Sequence, residues 1–204
     1  KPIILTPVIP KEEKYPEFPL SEYKPNNIVF LIDVSASMKY TGKLDLLKAS
    51  MIEMTNLLRD VDNITIVTYA SHTIVEMETM SANNKDSIIH KIEGLKAKGM
   101  TAGGKGLKLA YSKACESYIA HGNNEIIMAT DGDFNSGSEN VYKLAKKYNA
   151  KGVKVSVIGI KNREVHETSM KKLASNGGGN YLKIDTFDDA KKRLVEEVKI
   201  SSKL

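Results

Sequence analysis

The residues of this chain best suited to chemistry carry oxygen. Asp33, Ser35 and Ser37 alternate in the run FLIDVSASM, directly after an apolar stretch, and Asp131 follows the apolar stretch EIIMAT within Thr130-Asp131-Gly132. Between the two motifs, the glycine-rich segment KGMTAGG bears a single hydroxyl side chain, Thr101. Asp33, Ser35, Ser37, Thr101 and Asp131 gathered at one point would suit a hard cation, magnesium, manganese or calcium; zinc would call for histidine or cysteine. Each residue also has an ordinary role open to it: Asp33 as a helix cap, the serines as partners of loop backbone, Asp131-Gly132 as a turn. Proximity separates the two readings, because carboxylates brought together repel unless a cation or hydrogen-bond donors intervene.

The elements around these residues decide whether they meet. Residues 27–33 (NIVFLID) are apolar up to the carboxylate, as in a strand buried on both faces. Leu44, Leu47, Met51, Met54 and Leu58 then fall three and four apart and predict a helix. Strands are expected at 64–70 and 73–80, and the short link Ser71-His72 requires them to be antiparallel. That link is expected at the end of the sheet away from the oxygen motifs. Helices follow, one capped by Asn83 or Asn84 and the next marked by Leu107, Ala110, Tyr111, Ala114 and Tyr118. Strands 125–130, 154–160 and 180–185 alternate with helices, of which one is capped by Ser138 and another stops at Gly177-Gly178-Gly179. The last opens on Thr186 and Asp189 in the manner of a capping box, before Phe187, Ala190, Leu194 and Val198.

This order predicts an α/β fold: a doubly wound, mostly parallel six-stranded sheet with one antiparallel edge strand and helices on both faces. In such sheets ligands gather outside the carboxyl ends of the strands, where Asp33 and Asp131 fall. All six prolines lie in the first 25 residues. Residues 1–25 are therefore expected to form an extended arm or linker, and 26–204 the domain.

At 204 residues the chain fits one domain with a core of its own. No window approaches the apolar length of a membrane span. The net charge of +5 is spread over lysines mixed with acids, which describes a solvated surface and not a nucleic-acid footprint. The single cysteine, Cys115, is read as a packed thiol. The sequence starts at Lys1 without methionine, so it reads as a fragment, with a location outside the cytoplasm favoured.

Together, Asp33-Val34-Ser35-Ala36-Ser37, Thr101 and Thr130-Asp131-Gly132 resemble the metal-ion-dependent adhesion site of the von Willebrand factor type A domain, over about residues 26–200. DVSASM and TDGDFN are most similar to bacterial members. Met100 departs from the Gly-Gly-Thr common there. The resemblance implies a Rossmann-like fold in which Ser35, Ser37 and Thr101 contact the ion, most simply magnesium, while Asp33 and Asp131 act largely through water. It also implies a partner protein that supplies a glutamate or aspartate carboxylate. The expected function is thus divalent-metal-dependent protein binding, in adhesion or assembly, without catalysis.

The alternative is a metal-dependent hydrolase or phosphotransferase with Asp33 as nucleophile, but Ser35 stands where such a pattern needs a second carboxylate. Asp133 and Asn135 read as turn residues. Gly103-Gly104-Lys105-Gly106 lacks the spacing of a phosphate loop, and His72, His90, His121 and His166 read as surface residues.

Overall fold

The computed structural model describes Pro19 and residues 21–100, 103–132 and 140–204. Six strands form one sheet: β1 (Asn26–Asp33), β2 (Asn63–Tyr69), β3 (Thr73–Ser81), β4 (Asn123–Thr130), β5 (Val153–Ile160) and β6 (Gly178–Ile184), in the order β3-β2-β1-β4-β5-β6. All neighbours run parallel except β2 and β3, which pair antiparallel at one edge. Helices α1 (Lys43–Leu57), α2 (Lys85–Gly94), α3 (Gly103–Glu116), α4 (Val141–Asn149), α5 (Glu164–Asn176) and α6 (Phe187–Ser202) cover both faces. The predicted architecture is the observed one.

Strand alternation builds two cores from one sheet. Ile28, Phe30 and Ile32 of β1 pack with α1, α2 and α6, while Val29 and Leu31 pack on the opposite face with α3, α4 and α5. Each of these five residues is fully buried, which is why β1 needs an unbroken apolar run. At about 25 cal/mol per Å² of apolar surface, each such side chain contributes about 1.5–3 kcal/mol.

Several local expectations change. Ser81, not Asn83 or Asn84, supplies the side-chain cap where β3 runs into α2: its Oγ accepts from Asn83 N at 3.3 Å, in a 3-10 turn that precedes the helix. Asn140 caps α4 through Lys143 N at 3.1 Å; Ser138 lies outside the described residues. Cys115 is exposed, because the inward stripe of α3 is Leu107, Ala110, Tyr111 and Ala114, and position 115 falls beside it. Phe187 is likewise exposed. The cap of α6 is as read, with Asp189 N donating to Thr186 Oγ1 at 3.1 Å.

Of the expected arm, Glu22–Lys24 are already tied to the domain. Tyr23 bridges antiparallel to Lys203, Lys24 N donates to Ser202 O at 2.8 Å, and Arg59 Nη2 donates to Lys24 O at 2.7 Å. Residues 1–18 and Leu20 lie outside the described residues.

Candidate metal centre

β1 sits between β2 and β4, so the chain leaves it toward one edge of the sheet and returns on its other side toward the opposite edge. The crevice outside the carboxyl ends of β1 and β4 is thus the switch point of the topology. Asp33 ends β1 and is buried, 1% exposed. Its Oδ1 accepts from Ser35 N at 2.8 Å, which turns the chain out of the strand. Its Oδ2 accepts from Thr130 Oγ1 at 2.9 Å, which fixes the end of β4 against it.

Past this anchor, the oxygens converge. Ser35 Oγ lies 3.0 Å from Ser37 Oγ, and Ser37 Oγ donates to Asp131 Oδ1 at 2.9 Å. In an octahedral magnesium site, bonds of about 2.0–2.1 Å put neighbouring ligand oxygens about 2.8–3.0 Å apart. The two serine hydroxyls therefore stand at the spacing of adjacent ligands, with Asp131 hydrogen-bonded behind Ser37, and the set of hydroxyls and carboxylates fits a hard cation. The remaining oxygen of Asp131, Oδ2, accepts from Lys43 Nζ at 2.6 Å, a cation supplied by the first turn of α1.

Burial is the main force raising the pKa of Asp33; hydrogen bonds from Ser35 and Thr130 pull it back, and Asp131 adds a push upward. Tyr69 pairs with Asp33 in the β1–β2 register and is fully buried. Burial, then the charge of Asp33, raise its pKa well above the ordinary value, so the hydroxyl is neutral beneath the site. That hydroxyl makes no hydrogen bond of normal geometry.

Thr101 lies outside the described residues, as do Asp133 and Asn135. The approach to Thr101 is nonetheless tied to the first motif. Lys98 N donates to Val34 O at 2.7 Å and Ala36 N to Gly99 O at 2.9 Å, while Met100 N donates to Ser71 Oγ at 2.9 Å. Gly99 has φ +90, and a Cβ there would come within 2.8 Å of Ser71 Oγ, so only glycine fits. Met100 is 80% exposed. These contacts also correct the placement of His72: the turn between β2 and β3 lies at the same end of the sheet as Asp33, because β2 runs parallel to β1.

Asp33, Ser37, Asp131 and Gly132 form one side of a cleft of about 270 Å³ whose other side is basic: Lys43, Lys161, Arg163 and His166. Lys161 has φ 43 and Thr41 φ 55, both left-handed, which is costly for non-glycine residues and more so for a β-branched one. Lys161 Nζ donates to Thr41 O at 2.8 Å, so the two strained positions brace each other beside the site. Sequence reasoning missed this basic wall. Its only available signal was that residues 161–166, like Asp33 and Asp131, leave the carboxyl end of a parallel strand.

A family model described as the von Willebrand factor type A domain matches residues 27–197. The chain is 39% identical over 195 residues to the uncharacterized protein YfbK of Escherichia coli (strain K12), covering 94% of this chain and 33% of that protein, so it spans about a third of that relative's length. Among solved structures, a von Willebrand factor type A protein from Catenulispora acidiphila superposes with TM-score 0.75 at 19% identity, covering 87% of this chain and 43% of that one. Proximal thread matrix protein 1 from the mussel byssus, described with a zinc-occupied MIDAS motif, superposes with TM-score 0.73 at 21% identity, covering 89% and 47%. These two likenesses bear on the fold.

Proposed function

Because the chain belongs to the von Willebrand factor type A family, we propose that Asp33, Ser35, Ser37, Thr101 and Asp131 form a metal-ion-dependent adhesion site that captures an acidic side chain of a partner protein. The observation that carries this reading is the convergence of Ser35 Oγ and Ser37 Oγ, 3.0 Å apart, with Asp131 Oδ1 hydrogen-bonded to Ser37 at 2.9 Å. Ser35, Ser37 and Thr101 would hold the cation, most simply magnesium, with manganese or calcium as substitutes; Asp33 and Asp131 would orient it. The ion supplies a positive centre that neutral hydroxyls leave only partly compensated, open to one further anionic oxygen.

The basic wall of Lys161, Arg163 and His166 supports the same partner chemistry, since it favours approach of an acidic surface. The enzyme alternative has less support: Asp33 is 1% exposed, and its two oxygens are held by Ser35 and Thr130, which restricts the approach of a substrate. We place the module in adhesion or assembly outside the cytoplasm. Among the described residues, no helix is long and apolar enough to cross a membrane.

The test is calorimetry of wild type and Asp33→Ala with magnesium and manganese, then partner capture with magnesium or chelator. Saturable cation binding and cation-dependent capture are expected for wild type, and both are lost in the variant. Absence of any heat or thermal shift in wild type would sink the reading.

A further inference from the structure

A second acid pair lies at the opposite end of the sheet. Glu125, near the start of β4, and Glu197, on α6, are 0% and 2% exposed. Ser156 of β5 stands between them, its Oγ 2.7 Å from Glu125 Oε1 and 2.6 Å from Glu197 Oε1. The same Oγ accepts from Asn180 N at 2.9 Å.

A serine hydroxyl holds one hydrogen and can donate to one carboxylate only. The other short contact needs a hydrogen from the carboxyl side, or two lone pairs would face each other in the protein interior. Asn180 Nδ2 reaches both oxygens of Glu197, at 3.1 and 3.1 Å, which marks Glu197 as the anion. Glu125 is then the acid that donates to Ser156, which in turn donates to Glu197. The second oxygen of Glu125, Oε2, accepts from Ser201 Oγ at 2.6 Å and from Asn123 Nδ2 at 3.2 Å. With one proton on the pair, each short contact among Glu125, Ser156 and Glu197 has a hydrogen of its own.

We propose that Glu125, Ser156 and Glu197 are a single-proton binding site that fastens the end of α6 to β4 and β5. The site is separate from the cation centre and does not depend on that reading. Burial, then the charge of Glu197, push the Glu125 carboxyl up to about 7 from an ordinary 4.5. Few other charges face the cluster. Lys154 of β5 donates from Nζ to Ser201 O at 3.3 Å, and the Arg59–Asp62 pair is reached only through Asn123 and Asn26. Gly179 makes the space, since a Cβ there would lie 2.5 Å from Ser156 Oγ and would also meet Val155 O.

The native state binds this proton more tightly than the unfolded chain does. Its stabilisation is therefore complete below pH 4.5 and is lost as pH rises through about 7. Above that point two anions share one hydrogen, and this tie of α6 to β4 and β5 weakens while the apolar packing of Leu194 and Val198 remains.

Glu125→Gln tests this directly, because its amide donates to Ser156 and accepts from Ser201 and Asn123 as the protonated acid does. Infrared spectra of wild type at about pH 6 should show a buried carboxylic-acid carbonyl band that fades through about pH 7 and is missing from the variant. In denaturant titrations the unfolding constants of wild type and variant should diverge with rising pH, by up to about tenfold per pH unit between the two pKa values. Absence of the band, or parallel pH profiles, overturns the proposal. If the variant does not fold, the wild-type band and its titration decide alone.

Discussion

Strand β4 runs from one pair of acids to another. At its start Glu125 meets Glu197 through Ser156, and just beyond its end Asp131 lies across Ser37 from Asp33 and Ser35. Both places set two carboxyls near serine hydroxyls, in one sheet. They differ in what stands nearby to compensate charge. The upper pair has an ammonium at 2.6 Å and opens onto a cleft; the lower pair has amide and hydroxyl donors and almost no solvent. A pair beside an ammonium at the floor of a cleft has compensation at hand and room for a further cation. A sealed pair with neutral donors keeps a proton instead, since an uncompensated buried charge is far costlier.

Substitution should separate the two poles cleanly. The largest effect is expected from Asp33→Asn, which removes the charge behind the cation site: magnesium affinity should fall by about 10–100-fold or more, with the melting temperature of the metal-free protein changed little. Calorimetry and a thermal scan in chelator read the two quantities. Next, Glu125→Ala strips partners from Ser156, Ser201 and Asn123 at once. It should cost about 2–3 kcal/mol in urea unfolding while leaving magnesium affinity unchanged. A loss of cation binding in this variant would show that the poles are not independent.

The pH dependence is smaller and has a definite sign. With the native Glu125 pKa raised to about 7 from 4.5, its contribution to stability declines between those values, by at most about 1.4 kcal/mol per pH unit. Denaturant midpoints of wild type minus Glu125→Gln isolate it from other carboxyls. Smallest of all, Lys43→Met frees Asp131 of its competing ammonium; magnesium should bind about two- to fivefold more tightly, or about 0.4–1 kcal/mol. Weaker binding would show that Lys43 positions Asp131 and does not compete for it.

The upper pole was legible in sequence because each of its acids ends an apolar run, and strand ends on one side of a parallel sheet must converge. Asp33, Ser35, Ser37 and Asp131 are brought together as that logic demands. The basic wall was not legible, since Lys161, Arg163 and His166 reach the site only because β5 lies beyond β4 in the sheet order. His72 was placed at the wrong end for the converse reason: the direction of β2 relative to β1 is set by the α1 crossover, which returns the chain before β2 begins.

The lower pole left a fainter trace. Glu197 falls on the same α6 stripe as Ala190, Leu194 and Val198, and Glu125 alternates with Ile127 and Ala129 on one face of β4. A charge within an apolar stripe is a sign of a buried partner. Nothing in the spacing said that the partner of one was the other, 72 residues away in sequence.

The bridge between Tyr23 and Lys203 has a mechanical consequence. It brings both ends of the folded unit to one corner, beside the start of β1, whereas Ser35 and Ser37 stand at the far end of that strand. β1 is eight residues long, about 26 Å of extended chain. A pull between a partner held at the cation and whatever is joined at the termini would run lengthwise along β1. Because β1 is hydrogen-bonded on both sides, to β2 and β4, its two ladders would share that load in shear, and would have to slip together instead of unzipping one bond at a time.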